Sequence, residues 1–266
     1  MSITLGFIGC GNMAGAIMQG ILEAGAVPPE EMIASSLHGT AQKRKDEWGT
    51  LLGKDNTEVA QRARFIFLGV KPQYYAEVIA EIAPVVTEDK VVISIAPGHS
   101  LEGLEQLFGK PVKLIRTMPN TPAVVGAAMT GFCANERVSA AEKESVLGYF
   151  RCFGRVEELP ERLMDVVSGV SGSSTAFVCM YVEALADAGV AEGMPRPQAY
   201  IFAQQAVYGI AKQMLETGVH PGALKDSICS PAGSTIEGVG VLEDKGFRGA
   251  VFEASRACVA KARKLG

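Results

Sequence analysis

The amino-acid sequence predicts an α/β half built on a parallel sheet, followed by an all-α half. Two observations lead there. Short apolar runs of strand length alternate with helical patterns through the first part of the chain, which is how a parallel sheet covered on both faces reads. From Glu161 onward the apolar runs have helical length, are rich in small residues, and include no convincing strand.

Taken in order, Ile3–Ile8 is a strand, Asn12–Ala24 a helix, and Met32–Ser36 a second strand. A polar helix over Gly39–Trp48 follows. Phe65–Val70 is a buried strand bounded by charges, Tyr74–Ala83 a helix, and Lys90–Ile95 and Val112–Thr117 are strands, with Met129–Cys133 as a further candidate. In the second half, Ser173–Ala188, Arg196–Glu216, Thr235–Asp244 and Phe247–Lys264 are expected helices. Ala176–Leu185 is apolar on nearly every face, with Glu183 as its sole charge. Such a helix must be buried, and one small helical domain has little interior to hide it. A second copy of the chain is the natural cover, so a homodimer is expected, with assembly into a higher oligomer of dimers left open. The domains expected are 1–160, an α/β nucleotide-binding domain, and 161–266, an all-α substrate-binding and dimerisation domain.

Composition narrows the function. The 266 residues carry a net charge of −4, which offers no global basic field for nucleic acid or anionic lipid. Six scattered cysteines and three histidines show no metal-ligand spacing, so reduced thiols and no metal site are expected. The opening residues lack a basic segment before the first strand, and apolar runs such as Ala176–Val182 are shorter than a membrane span. A cytoplasmic protein without nucleic-acid or membrane partners is the expectation. A mean hydropathy of +0.18 is high for a monomer and fits a large apolar subunit contact.

Directly after the first strand stands Gly9-Cys10-Gly11-Asn12-Met13-Ala14. This matches G-x-G-x-x-A between a strand and a helix, the Rossmann-type arrangement for a dinucleotide. Gly9 allows the tight turn, Gly11 lets backbone approach a pyrophosphate, and Ala14 keeps helix and sheet close. An NAD site usually carries an acid about 20 residues on. Here Ile33-Ala34-Ser35-Ser36 has none, and Lys43 and Arg44 follow in the next helix. Hydroxyls with nearby cations favour NADPH, with NADH still admissible. The ends of two further strands, Val70-Lys71-Pro72 and Ile95-Ala96-Pro97, should border the same crevice. The cofactor-binding set is therefore Gly9, Cys10, Gly11, Asn12, Met13, Ser35, Ser36, Asn56, Val70, Lys71, Pro72, Ile95, Ala96 and Pro97.

Four later segments carry a resemblance. Arg116-Thr117-Met118-Pro119-Asn120-Thr121-Pro122, Ser171-Gly172-Ser173-Ser174-Thr175-Ala176-Phe177, Glu183-Ala184-Leu185-Ala186-Asp187-Ala188-Gly189 and Leu224–Ile236 stand in order along the chain. Together they resemble the pyrroline-5-carboxylate reductase family across essentially the whole sequence. That resemblance implies NAD(P)H-dependent reduction of the small molecule 1-pyrroline-5-carboxylate to L-proline, the last step of proline biosynthesis. It places the substrate at the loop Ser230–Thr235, where the amides of Ser234 and Thr235 bind its carboxylate and the Thr235 hydroxyl, the catalytic group, reaches the ring nitrogen. Free N–H groups at a helix start suit a carboxylate on independent grounds. Glu161 and Ser227 are implied as further substrate neighbours, and the family architecture implies that one subunit completes a site beside its partner's cofactor.

The sequence departs from the family pattern at Ser174-Thr175, where Gly-Pro is usual, and at Ala232, Ser234 and Pro97. Ala232 replaces a glycine, so a negative φ is expected there unless strain is tolerated. A β-hydroxy-acid reductase of the same superfamily would need a general-base lysine, for which Lys212 and Lys225 are the candidates, neither in a matching motif. A nucleotide-sensing module would need the first half alone and would leave the Leu224–Ile236 segment without a role.

Overall fold

The computed structural model describes residues 3–264. These fall into two compact units, one running through Gly172 and taking up the chain again from Cys258, the other Ser173–Ala257. The sequence-based division at 160/161 lies inside the first unit, and its outer limits, 1 and 266, lie outside the described residues.

The first unit is an eight-stranded sheet. Its strands are β1 (Ile3–Ile8), β2 (Met32–Ser35), β3 (Leu51–Leu52), β4 (Ala63–Leu68), β5 (Val91–Ser94), β6 (Lys113–Met118), β7 (Ala128–Ala134) and β8 (Gly154–Glu158), in the order β3-β2-β1-β4-β5-β6-β7-β8. Helices α1 (Asn12–Glu23), α2 (Thr40–Trp48), α3 (Asn56–Arg62), α4 (Tyr75–Ile82), α5 (Leu101–Phe108) and α6 (Ala140–Arg151) connect them. The expected parallel sheet is present with one exception: β7 runs antiparallel to β6. Only the turn Thr121–Val125 separates these two strands, too short a link for the crossover a parallel partner needs.

Strand β4, Ala63-Arg64-Phe65-Ile66-Phe67-Leu68, shows why the sheet is covered twice. Phe65 and Phe67 join one buried cluster with Phe7, Ile17 and Phe150, whereas Ile66 and Leu68 join another with Ile33, Tyr75 and Ile79. Side chains alternate along a strand, so a run apolar at every position buries both faces. Phe7 and Phe67 stack across β1 and β4 with centroids 4.6 Å apart.

The sequence does not announce β3, α3, α5, α6 and β8, nor the later short helices Met164–Val167 and Pro221–Ile228. Three of these helices nevertheless have legible starts. Asp55 accepts the Glu58 N–H, Ser100 accepts that of Gly103, and Ser139 and Glu142 form a reciprocal capping box. The strands β3 and β8 are short or carry charges in place of apolar alternation.

Past β8 come α7 (Met164–Val167) and a wide π-type turn at Ser168–Gly172. The second unit holds α8 (Ser174–Ala191), α9 (Arg196–Thr217), α10 (Pro221–Ile228), α11 (Ser234–Asp244) and the start of α12 (Phe247–Ala262). Helices α8 and α9 form a hairpin whose close approach uses small residues, Gly189 lying against Ala199 and Met194. Among its described residues this unit buries only Ala186, Ala199, Ala203 and Leu224 as apolar core, while Phe202 is 67% and Leu215 72% exposed. A helical unit with so little interior is not self-sufficient. The expectation that apolar runs here are too short for a membrane needs correction: the helical run Glu161–Ala191 is long and apolar enough to cross one by length and composition. The short runs read from the sequence join into one because the π-type turn keeps the chain helical between α7 and α8.

Candidate functional site

The turn after β1 is built for a phosphate-bearing ligand. Gly9 has φ +87, and its N–H donates to the Ser35 carbonyl at 2.9 Å, tying the loop to the end of β2. A Cβ at Gly9 would sit 2.7 Å from the Gly69 carbonyl carbon and the Val70 nitrogen, so only glycine fits between β1 and β4. Gly11 starts α1 in extended conformation without a side-chain cap, and the space where its Cβ would point is open. The first-turn amides of α1 therefore face open space beside a bare backbone, as pyrophosphate binding requires. The residues present fit a dinucleotide.

The expected cofactor residues divide by what their side chains do. Cys10 is buried with its thiol against Met18 Sδ at 3.5 Å, and burial pushes it up to about 11, with Arg44 opposing. Its contribution to a ligand is backbone alone. Asn12 and Met13 line a cavity of 320 Å³ with Arg44 and Thr121. Ser35 and Asn56 meet, Oγ to Oδ1 at 2.7 Å, whereas the Ser36 hydroxyl accepts the Ala41 N–H and starts α2. Lys43 and Arg44, read as candidates for a 2′-phosphate, both pair with Glu47. Arg44 also lies over the Trp48 ring at 4.4 Å and across Gly15 of α1, which draws it onto the helix.

The loops after β4 and β5 meet each other through Pro72 and His99. Ile95 and Ala96 are buried, and the Pro72 carbonyl contacts His99 Nε2 at 3.2 Å. Tyr75, Ser94, Thr117 and His99, none of them in the sequence-based set, hold these loops. Tyr75 Oη donates to the Leu68 carbonyl at 2.9 Å and lies 3.1 Å from Ser94 Oγ, while Thr117 Oγ1 donates to the Ser94 carbonyl at 2.8 Å. A tyrosine on the apolar stripe of a helix reads as core, so nothing in the sequence flags its hydroxyl.

Asn120 of the Arg116–Pro122 segment is buried and braced on both sides, its Oδ1 accepting the Met129 N–H and its Nδ2 donating to the Ser171 carbonyl. Glu161 accepts the Leu101 N–H at 2.6 Å, in the first turn of α5, and pairs with Arg116 at 3.5 Å. Arg116, buried, reaches Asp165 as well. The Glu161 carboxylate thus neutralises a helix start and a buried guanidinium within the first unit.

In the second unit, the Gly233 N–H closes on the Ser230 carbonyl at 3.0 Å, enclosing Pro231 and Ala232. Ala232 has φ +55, which overturns the expected negative value. Proline followed by a positive φ is the type II turn pattern, and closure of this loop outweighs the cost of a Cβ in the left-handed region. Gly233 then caps α11 without a side-chain bond, leaving the amides of Ser234 and Thr235 at the helix start. Ser227 is turned back on its own helix, donating to the Leu224 carbonyl at 2.7 Å. Lys225 pairs with Asp226, whose hydrogen bond and charge push the ammonium above its ordinary value.

Comparison with known proteins decides the family. The chain is 48% identical to a pyrroline-5-carboxylate reductase of Escherichia coli (strain K12) over 266 residues, covering 100% of this chain and 99% of the relative. The chain belongs to the pyrroline-5-carboxylate reductase family. A Synechocystis member is 42% identical, again over 100% of this chain and 99% of the relative. The family model for pyrroline-5-carboxylate reductase dimerisation matches residues 161–265, and that for NADP oxidoreductase, coenzyme F420-dependent, matches residues 4–98. Among solved structures, the Plasmodium falciparum pyrroline carboxylate reductase with NADP bound superposes with a TM-score of 0.91 at 31% identity, covering 99% of this chain and 98% of that one. The dimerisation match falls on the helices that bury least, which supplies the missing cover: the chain is a homo-oligomer acting on a small molecule.

Proposed function

We propose that this chain reduces 1-pyrroline-5-carboxylate to L-proline, with the substrate carboxylate held at the start of α11. The chain is an NAD(P)H-dependent oxidoreductase acting on a C=N bond, and family membership over its full length supports the specific substrate. The observation that carries the site is the uncapped start of α11 behind a closed Ser230–Gly233 turn. The amides of Ser234 and Thr235 there offer an anion site without a basic side chain.

Gly9, Gly11, Asn12, Met13, Ser35, Asn56 and the loops 70–72 and 95–97 hold the dinucleotide, NADPH in preference to NADH. When bound, the reduced nicotinamide supplies the hydride. The chain's own task is then positioning. Amides of the α11 start orient the carboxylate, and the Thr235 hydroxyl oxygen accepts the N–H of the protonated ring nitrogen, the form whose carbon is electrophilic. A hydride accepted at that carbon would turn the C=N π pair into the nitrogen lone pair, and the N–H already present on the protonated imine would make the product a neutral secondary amine. Alignment supplies most of the acceleration in such a step. Glu161 and Ser227 are retained as substrate neighbours on the strength of the resemblance, although both side chains already have partners within their own units.

The raised Lys225 works against the β-hydroxy-acid alternative, since a general base needs a lowered ammonium, and Lys212 stands in no matching motif. We place the functional division at 160/161, supported by the dimerisation match that starts at 161, and the enzyme in the cytoplasm as a homodimer or an assembly of dimers.

The test is NADPH oxidation with pyrroline-5-carboxylate as sole acceptor, scored by proline formed. Stoichiometric conversion is expected, and absence of turnover overturns the reading. Thr235→Ala should lower kcat/KM by about tenfold or more while NADPH affinity stays unchanged, as loss of a charge-assisted hydrogen bond predicts.

A further inference from the structure

A hydrogen-bond relay at the end of β2 runs from two of the dinucleotide residues named above to Glu81, which has no part in that reading. Ser35 Oγ lies 2.7 Å from Asn56 Oδ1, and Asn56 Nδ2 lies 2.7 Å from Glu81 Oε2. The direction of this relay is forced. An ionised carboxylate only accepts, so the Asn56 amide must turn its NH₂ toward Glu81 and its carbonyl toward Ser35. Ser35 must then donate. Its single proton is spent on Asn56, which leaves the Ser35 oxygen an acceptor only, while Asn56 keeps one N–H that Glu81 does not use.

Ser35 ends β2, the position at which a dinucleotide site recognises the ribose 2′ substituent. An acceptor beside a donor suits a 2′-hydroxyl, which both gives and takes a hydrogen bond. A 2′-phosphate is an acceptor on every oxygen and finds one donor where two are wanted. We infer that Glu81, acting through Asn56, is a specificity-determining positioning residue that keeps NADH usable beside NADPH by holding Ser35 as an acceptor. This rests on the reading of the β1–α1 turn as the dinucleotide site.

The decisive measurement is the dissociation constant of each nucleotide, read by fluorescence titration without substrate. Removing the carboxylate in Glu81→Ala lets the amide reverse, so that Ser35 and Asn56 both become available as donors. The ratio of NADPH to NADH affinity should rise about three- to tenfold, the worth of one hydrogen bond. In an Asn56→Ala background the same Glu81→Ala change should leave the ratio where it stands, because the relay is already cut. Glu81 is exposed, and an unchanged melting temperature separates this effect from unfolding. A ratio that does not move in the first background overturns the inference. So does an equal shift in both backgrounds, which would mean that the Glu81 charge acts on the phosphate directly. Wild-type protein that binds neither nucleotide would remove the dinucleotide reading itself, and the inference with it.

Discussion

The His99 imidazole lies flat on the Tyr75 phenol ring, with centroids 4.7 Å apart and planes 6° apart. His99 Nε2 contacts the Pro72 carbonyl, and Tyr75 Oη binds the Leu68 carbonyl and approaches Ser94. Burial pushes the Tyr75 hydroxyl up to about 12, against the opposing hydrogen bond from Ser94, so it stays protonated as a donor. One stacked pair thereby ties the loop after β4 to the loop after β5, the two proposed to border the dinucleotide.

His99→Ala should therefore weaken NADPH binding about threefold or more, the scale of one lost contact in a preorganised site. His99→Phe, which keeps the stack and loses the Pro72 contact, should fall between. Titration of NADPH checks both, and wild-type affinity in His99→Ala would show that the loops need no strap.

Glu142 makes stability pH-dependent. It is 4% exposed, and burial pushes its carboxyl up, but the Lys113 ammonium at 2.7 Å and the Ser139 N–H and Oγ donors outweigh burial and hold it below its ordinary value. A lowered folded value stabilises above the unfolded value, and that contribution is lost as pH falls through the folded one. Glu142→Gln should cost about 1–3 kcal/mol in urea denaturation at neutral pH, and the difference should shrink below about pH 4. A pH-independent difference would remove the charge from the account.

The left-handed Ala232 sets a direction for substitution. Ala232→Gly should be neutral or stabilising by up to about 1 kcal/mol, because relief of the Cβ clash is partly offset by greater freedom of the unfolded chain. Ala232→Val should destabilise, since a β-branched residue tolerates positive φ worst. Chemical denaturation of the two variants checks the sign, and equal effects would contradict the turn geometry.

The helical unit should have no stable existence apart from a second copy. Dilution followed by sedimentation should show lost activity wherever a monomer forms, since α8 and α9 expose their apolar side chains in the single chain. An active, folded monomer would mean that these helices need no partner.

Local order was written plainly in the sequence. The Gly9-Cys10-Gly11 turn follows β1 as read, and the long helices of the second half fall within a few residues of expectation, because periodicity and turn residues act over a handful of neighbours. The partnerships were not. Ser35 meets Asn56 and Asn56 meets Glu81 only once β2, α3 and α4 are laid together, and Glu161 finds Leu101 and Arg116 from far along the chain. The reversed direction of β7, the draw of Arg44 onto α1 and the positive φ of Ala232 each arise because packing and loop closure outweigh a local preference of about a kilocalorie. Sequence alone determined the two-part architecture and the family; which side chains hold the loops of the proposed site in shape was decided by contacts that exist only in the folded chain.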